Sequence, residues 1–368
     1  MTPSSIRSTR RFAVVLLASA SSMFAFGAAS AAVTFDVIAS SGATGGGTNQ
    51  ILRFDGLTGD FLGVFSSPLD GVNDPRDIIV DSRPNGIPNT FFVNTGNFPP
   101  SPTPDNDNVF VLDADGNVLR TAVDFSETGS GFVDAGGGVF GPNGNLFVGS
   151  RAQNNVLEFD PETGAFIGPA FAEGLIDGGI RGFVFNDEGT LFVGNGANLS
   201  TGLGGGGIFA VENGVATQLV DDPELSPLDV ILDPTQEFLV VSSQFPFEDG
   251  NAAAATIRIF DVETGELVNV LDPGLGEDGE PLFASPRGLG FAPDGTLFAS
   301  STGTGSILRF DIGLGTFLGV FAEFEGLNGQ ALAFIDTTPD ASEVPLPGAG
   351  LLMAAGGGFL VLRRRKPA

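Results

Sequence analysis

A unit of about 50 residues recurs six times along the chain, and that repetition constrains the fold more than any other feature of the sequence. Each unit reads as an apolar strand, a turn such as Asp294-Gly295, a second strand such as Leu297-Phe298-Ala299, a loop, a third strand ending in an acid, a turn often containing Thr-Gly, and a fourth strand. The third-strand acids are Asp55, Asp113, Asp160, Glu212, Asp261 and Asp311, spaced 47 to 58 residues apart. Two units show the alignment: RGFVFNDEGTLFVGNGANLSTGLGGGGIFAVENGVATQLV from Arg181 and RGLGFAPDGTLFASSTGTGSILRFDIGLGTFLGVF from Arg287. Short alternating strands joined by Gly-containing turns argue for antiparallel pairing within each unit.

A four-stranded sheet cannot bury both faces alone, so six of them imply blades stacked in a ring: an all-β, six-bladed β-propeller. The first unit lacks its inner strand, beginning instead with VTFDVIAS and continuing through QILRFD and DFLGVF. The missing strand appears at the far end as GQALAFID, residues 329–336. The expectation is therefore a propeller over residues 32–338, closed by N- and C-terminal strands sharing one blade. A pair of β-sandwiches is the alternative, but it does not call for this circular arrangement. Across residues 33–336 the repeat resembles the NHL and SMP-30/gluconolactonase-like six-bladed propellers, in motifs degenerate enough to speak for fold more than function.

The two ends carry addresses. Arg7, Arg10 and Arg11 form a basic n-region, Phe12 to Gly27 is largely apolar, and Ala29-Ser30-Ala31 is a small-x-small cleavage site, so residues 1–31 read as a cleavable secretory signal. Thr9-Arg10-Arg11-Phe12 is only loosely like a twin-arginine signal, and the export route stays open. After a linker, residues 339–343, the final 25 residues combine Val344-Pro345-Leu346-Pro347, an apolar run from Gly348 to Leu362, and the cluster Arg363, Arg364, Arg365 and Lys366. The run has 15 residues, short for a permanent span of about 20. This order of parts resembles a PEP-CTERM sorting signal of Gram-negative bacteria in its VPLP variant. The resemblance implies an apolar sorting helix over 344–368, transient tethering in the inner membrane, removal by an exosortase-type protease, and a final place at the cell surface or outside the cell. A retained anchor with its cations inside is the alternative.

Between those ends the chain has nine arginines, no lysine and all 44 acids, a formal charge of −35. Such a surface repels nucleic acid and anionic lipid, so neither is expected as a partner. With no His and no Cys, triad catalysis through imidazole or thiolate, imidazole metal sites and disulfides are all excluded.

The recurring third-strand acids are expected to accept backbone N–H groups in their turns. Asp272, Glu277, Asp278 and Glu280 lie in a Gly-rich loop without the alternating spacing of a calcium loop, and a solvated loop is expected there. The SMP-30 resemblance implies a divalent cation held by Glu, Asn and Asp, with one Asn in a Pro-Asn-Gly at the start of an inner strand. This chain has Pro286-Arg287-Gly288, and an arginine there repels a metal. Expected, then, are no cofactor, no metal and no catalytic residue, with an SMP-30-like hydrolase kept as the alternative to a binding or scaffold protein. Aligning inner strands on Val80, Phe140, Phe185, Leu232, Phe291 and Phe334 puts Arg76, Gly136, Arg181, Leu228, Arg287 and Gln330 at one equivalent place. In a propeller these converge on the channel mouth. Arg76, Arg181 and Arg287, with Asp77, Asp229 and Gln330, become the candidate ligand site: either a plug of arginines paired with neighbours such as Asp77 and Asp229, or an anion site suited to a carboxylate, sulfate or phosphate on an anionic saccharide or exopolysaccharide.

Overall fold

The computed structural model describes residues 33–43, 46–96, 107–128, 135–150, 153–171, 176, 179–196, 206–223, 225–243 and 255–338. Both terminal segments read above as export and sorting signals, including Ala29, Ala31, Val344 to Pro347 and Arg363 to Arg365, lie outside them. The described residues form six four-stranded antiparallel sheets and no α-helix. Five blades run from inner to outer strand in chain order: blade two from Pro75 to Asp124, blade three from Ala135 to Pro169, blade four from Gly179 to Asp221, blade five from Pro227 to Leu271, and blade six from Pro286 to Glu323. Blade one takes three strands from Phe35–Ser66 and its inner strand from Gly329–Asp336. That strand pairs antiparallel with Phe35–Ser41, setting Phe35 opposite Asp336 and Val37 opposite Phe334. Thr337 N donates to Thr34 O at 3.0 Å just beyond the pair.

The recurring Leu-Phe pairs explain why the blades stack. Successive residues of a strand point to opposite faces, and here both faces are covered. Leu297 packs in the cluster between blades five and six, while Phe298 packs between six and one. Leu191 and Phe192 likewise serve the interfaces on either side of blade four. Six apolar clusters result, one for each pair of neighbouring blades. The core is thus a closed ring of interfaces, and what remains at its centre is a narrow channel lined by the inner strands.

Candidate functional site

Every inner strand breaks register with its neighbour near its start. The irregularities fall between Pro75 and Asp77, Ala135 and Gly138, Ile180 and Phe183, Pro227 and Asp229, Pro286 and Leu289, and, read on the partner strand, Ala39 and Ser41. A bulge leaves the extra residue out of the ladder and re-aims its side chain. Here the re-aimed residues are Arg76, Gly136, Arg181, Leu228, Arg287 and Gln330. Together with Asp77, Ala135, Gly137 and Asp229 they line one cavity of about 60 Å³. All six side chains expected at the mouth from the sequence, Arg76, Asp77, Arg181, Asp229, Arg287 and Gln330, therefore meet there.

The contacts at the mouth are specific. Arg76 Nη2 lies 2.5 Å from Asp74 Oδ2, with both side chains buried, so this guanidinium has an acid two residues upstream as an ion-pair partner. Arg287 Nη1 donates to Gln330 Oε1, and Gln330 Nε2 donates to Asn328 Oδ1 at 2.8 Å. Asp77 accepts from its own strand, Ile78 N at 2.8 Å, and from the next blade, Gly138 N at 2.6 Å. Asp229 repeats the pattern with Val230 N at 2.9 Å and Leu289 N at 2.8 Å. Each carboxylate thus ties its own inner strand to an inner strand of a neighbouring blade.

Both acids are pushed towards the neutral form. Burial first, and then the negative charge of Asp229, raise Asp77 to about 7, against the pull of the Gly138 and Ile78 N–H groups. Burial lifts Asp229 to about 6, opposed by the Leu289 and Val230 N–H groups. Each residue keeps a little surface open to the recess it lines. The surrounding protein still denies the charged forms full hydration.

Two features of the structure were not anticipated. First, a small polar residue near the end of several second strands stitches the bulges together. Ser242 Oγ accepts from Asp229 N at 3.0 Å and donates to Arg287 O of the next blade at 2.8 Å; Ser300 Oγ accepts from Gly288 N at 2.9 Å and donates to Gly329 O at 3.2 Å; Asn94 Nδ2 donates to Gly136 O. The signal was present in the second-strand endings Ala39-Ser40-Ser41, Val241-Ser242-Ser243 and Ala299-Ser300-Ser301, but alternation alone gives a hydroxyl no partner. Second, Arg83 joins blades two and three, pairing with Asp81 at 2.8 Å and Glu162 at 2.7 Å while its guanidinium lies 4.9 Å from the Phe140 ring centre.

The third-strand acids mostly behave as turn acceptors. Asp55, Asp113, Asp160, Asp261 and Asp311 each take one or more backbone N–H groups from their own turns. Those bonds hold Asp55, Asp160 and Asp261 below the usual carboxylate range. Glu212 departs from the expectation. Its hairpin turns through Asn213 and Gly214, both at positive φ, and its longer side chain instead accepts from Thr190 Oγ1 at 3.2 Å. In the acidic loop, Asp272 and Asp278 accept from Gly274 N and Glu280 N and remain exposed. Among the described residues no group of three or more Asp, Glu, His or Cys is placed to hold a metal ion.

No family model matches the chain, and no curated protein matches it in sequence. Solved structures do. A chain of the nidogen/laminin complex aligns with a TM-score of 0.59 and 13% identity, covering 83% of this chain and 100% of that one. A Bacteroides fragilis protein provisionally assigned as a 6-phosphogluconolactonase aligns at 0.53 and 14%, covering 83% and 99%. A Bacteroides uniformis protein with the same provisional assignment gives 0.51 and 15%, covering 82% and 99%. At such identities the similarity speaks for the β-propeller fold alone, and that fold is what the chain shares with them.

Proposed function

We propose that this chain is an exported, surface-sorted β-propeller that binds a ligand rather than transforming it, and that its channel mouth recognises a small oxyanion group. The observation carrying this reading is the convergence of Arg76, Arg181 and Arg287, three of the nine arginines between the two terminal segments, in a field of −35, on one recess. A volume of about 60 Å³ limits what enters. It has room for about four or five waters or one oxyanion head, not for a sugar ring. A carboxylate or sulfate projecting from an exopolysaccharide suits it, the polymer itself lying outside. A lactonase-like hydrolase lacks comparable support: Arg287 stands where the resemblance puts a metal-ligating amide, and the two lactonase-assigned neighbours share the fold only.

Replacing Arg76, Arg181 or Arg287 singly by Gln should weaken binding of glucuronate or a sulfated sugar by about 1.5 to 3 kcal/mol each, the scale of a hydrogen bond to a charged group. Calorimetry showing no anion binding by the wild type, or equal binding by the triple variant, would leave the arginines as a structural plug. Export and sorting rest on the two terminal segments, with an exosortase-type protease as processing partner. Intact mass of protein recovered from the cell envelope should end before the apolar run; residues after Pro347 still attached would overturn that part.

A further inference from the structure

Between blades two and three the protein fills the gap with its own arginines. Arg83 Nη1 lies 2.7 Å from Glu162 Oε1 and Arg120 Nη2 3.0 Å from Glu162 Oε2, so two guanidinium groups of blade two reach one carboxylate in a turn of blade three. Both also lie over one aromatic ring, at 5.4 Å for Arg83 and 5.8 Å for Arg120 from the Phe92 ring centre. A carboxylate beside an aromatic face holds a guanidinium by ion pairing and cation–π attraction together.

Between blades four and five the accepting half of this arrangement recurs without the cations. Ladder register sets the correspondence: Phe92 pairs with Val111 and Val111 with Arg120, while Phe192 pairs with Ala210 and Ala210 with Thr217. Glu263 stands two residues after the turn acid Asp261, as Glu162 does after Asp160. In the loop after the inner strand, Arg83 comes three residues after Val80 and Glu188 three after Phe185. The ring and the turn carboxylate are thus kept as Phe192 and Glu263, whereas Thr217 and Glu188 stand where blade two has its arginines. What is left is a groove of about 780 Å³ whose apolar wall includes Phe192, Ala210 and Val262. Its charged groups are all carboxylates, Asp187, Glu188, Glu212 and Glu263, and all four residues are exposed. Among the described residues no arginine pairs with any of them. Gln236, at φ 61°, accepts from Asp187 N at 2.8 Å and ties together the two turns that wall the groove. It also borders a second recess of about 360 Å³, lined by Phe185, Ile231 and Phe291 at the ends of the inner strands.

We propose that the groove between blades four and five docks an extended, arginine-bearing segment of a partner protein, one guanidinium entering between Glu188 and Glu263 over Phe192. The site is separate from the channel mouth and stands whether or not the mouth binds an anion. Its occupant follows from charge and size. An apolar wall with carboxylates as its only charged groups suits a chain that carries both apolar and cationic side chains, and the volume fits several residues rather than a lone ion. Arginine is preferred to lysine because its planar fork matches a carboxylate and stacks on a ring, as Arg83 and Arg120 do in the filled groove. A second copy of this chain, with −35 between its terminal segments, is repelled.

The probe is a capped Leu-Arg-Leu-Arg-Leu peptide, titrated calorimetrically at about 0.15 M salt, where the general field of the protein is screened beyond about 8 Å. The wild type should bind it, and the same peptide with citrulline in place of arginine should bind about tenfold more weakly, having lost its charge but not its shape. Glu188→Gln combined with Glu263→Gln should weaken binding about tenfold as well. Glu277→Gln combined with Glu280→Gln removes the same charge from an exposed loop elsewhere and should change little. Thr217→Arg restores the guanidinium that blade two carries at this register and should compete with the peptide, again lowering affinity. All of these positions are exposed, so the variants should fold, and circular dichroism checks that they do. No binding by the wild type, equal binding of the citrulline peptide, or an equal loss in the Glu277 and Glu280 variant would overturn the assignment, the last by showing attraction to the acidic surface at large.

Discussion

Deleting Gly329 to Asp336 should abolish cooperative folding, leaving a protein that aggregates or melts without a sharp transition. The segment is the inner strand of blade one, so its loss strips Phe35–Ser41 of a pairing partner and exposes an apolar edge. It also removes Ala331, Ala333 and Ile335 from the interface between blades one and two, and Leu332 from that between six and one. Burying one large apolar side chain is worth about 1.5 to 3 kcal/mol, and Leu332 and Ile335 are joined by Phe334, which packs against the same second cluster. Together with the lost ladder this approaches a typical net stability of about 5 to 15 kcal/mol. Differential scanning calorimetry is the check. A deletion variant that melts like its parent would mean the ring is not closed by this strand.

Stability should fall as pH rises from about 4 to 7, because of the same two acids that shape the mouth. Their folded values, about 7 for Asp77 and about 6 for Asp229, lie above the ordinary 3.8. In that window the folded state retains protons that the unfolded chain releases, so raising the pH favours unfolding; the contribution is fully present below about pH 4 and gone above about 7. We expect on the order of 3 kcal/mol for the pair, less than the full shifts would give, since the recess admits some water. Somewhat over half of that falls between pH 5 and 8, which for a chain of this size is about 2 to 5 °C in melting temperature. The turn acids act with the opposite sign: Asp55, Asp160 and Asp261 are held low, so their contribution is present above the ordinary carboxylate range and lost as pH falls below it. Best stability should lie near pH 4 to 5. Relief of general surface repulsion also acts on acidification, so the decisive comparison is with Asp77→Asn, in which most of the decline between pH 5 and 8 should vanish. Parallel profiles for the two proteins would show that Asp77 ionises freely.

The propeller was legible because its causes are local and repeated. Leu297-Phe298 and Leu191-Phe192 announce strands buried on both faces, Asp294-Gly295 and Asn213-Gly214 announce turns, and the absence of an inner strand before Phe35 matched its appearance at Gly329. Register alone placed Arg76, Arg181 and Arg287 on one ring, since equivalent residues of a cyclic repeat must converge on its axis. What the sequence could not convey was which partners the mouth residues choose. Arg76 meets Asp74, Arg287 meets Gln330, and Asp77 holds the Gly138 N–H of the next blade. Those choices depend on where six bulges turn the chain and on Ser242 and Ser300 reaching between blades. A bulge is a one-residue displacement with no composition of its own, and the distances it sets exist only once neighbouring blades are packed. The neutral tendency of Asp77 and Asp229 belongs to the same class: burial of both, and for Asp77 the like charge of Asp229, are properties of the closed ring, not of any stretch of sequence.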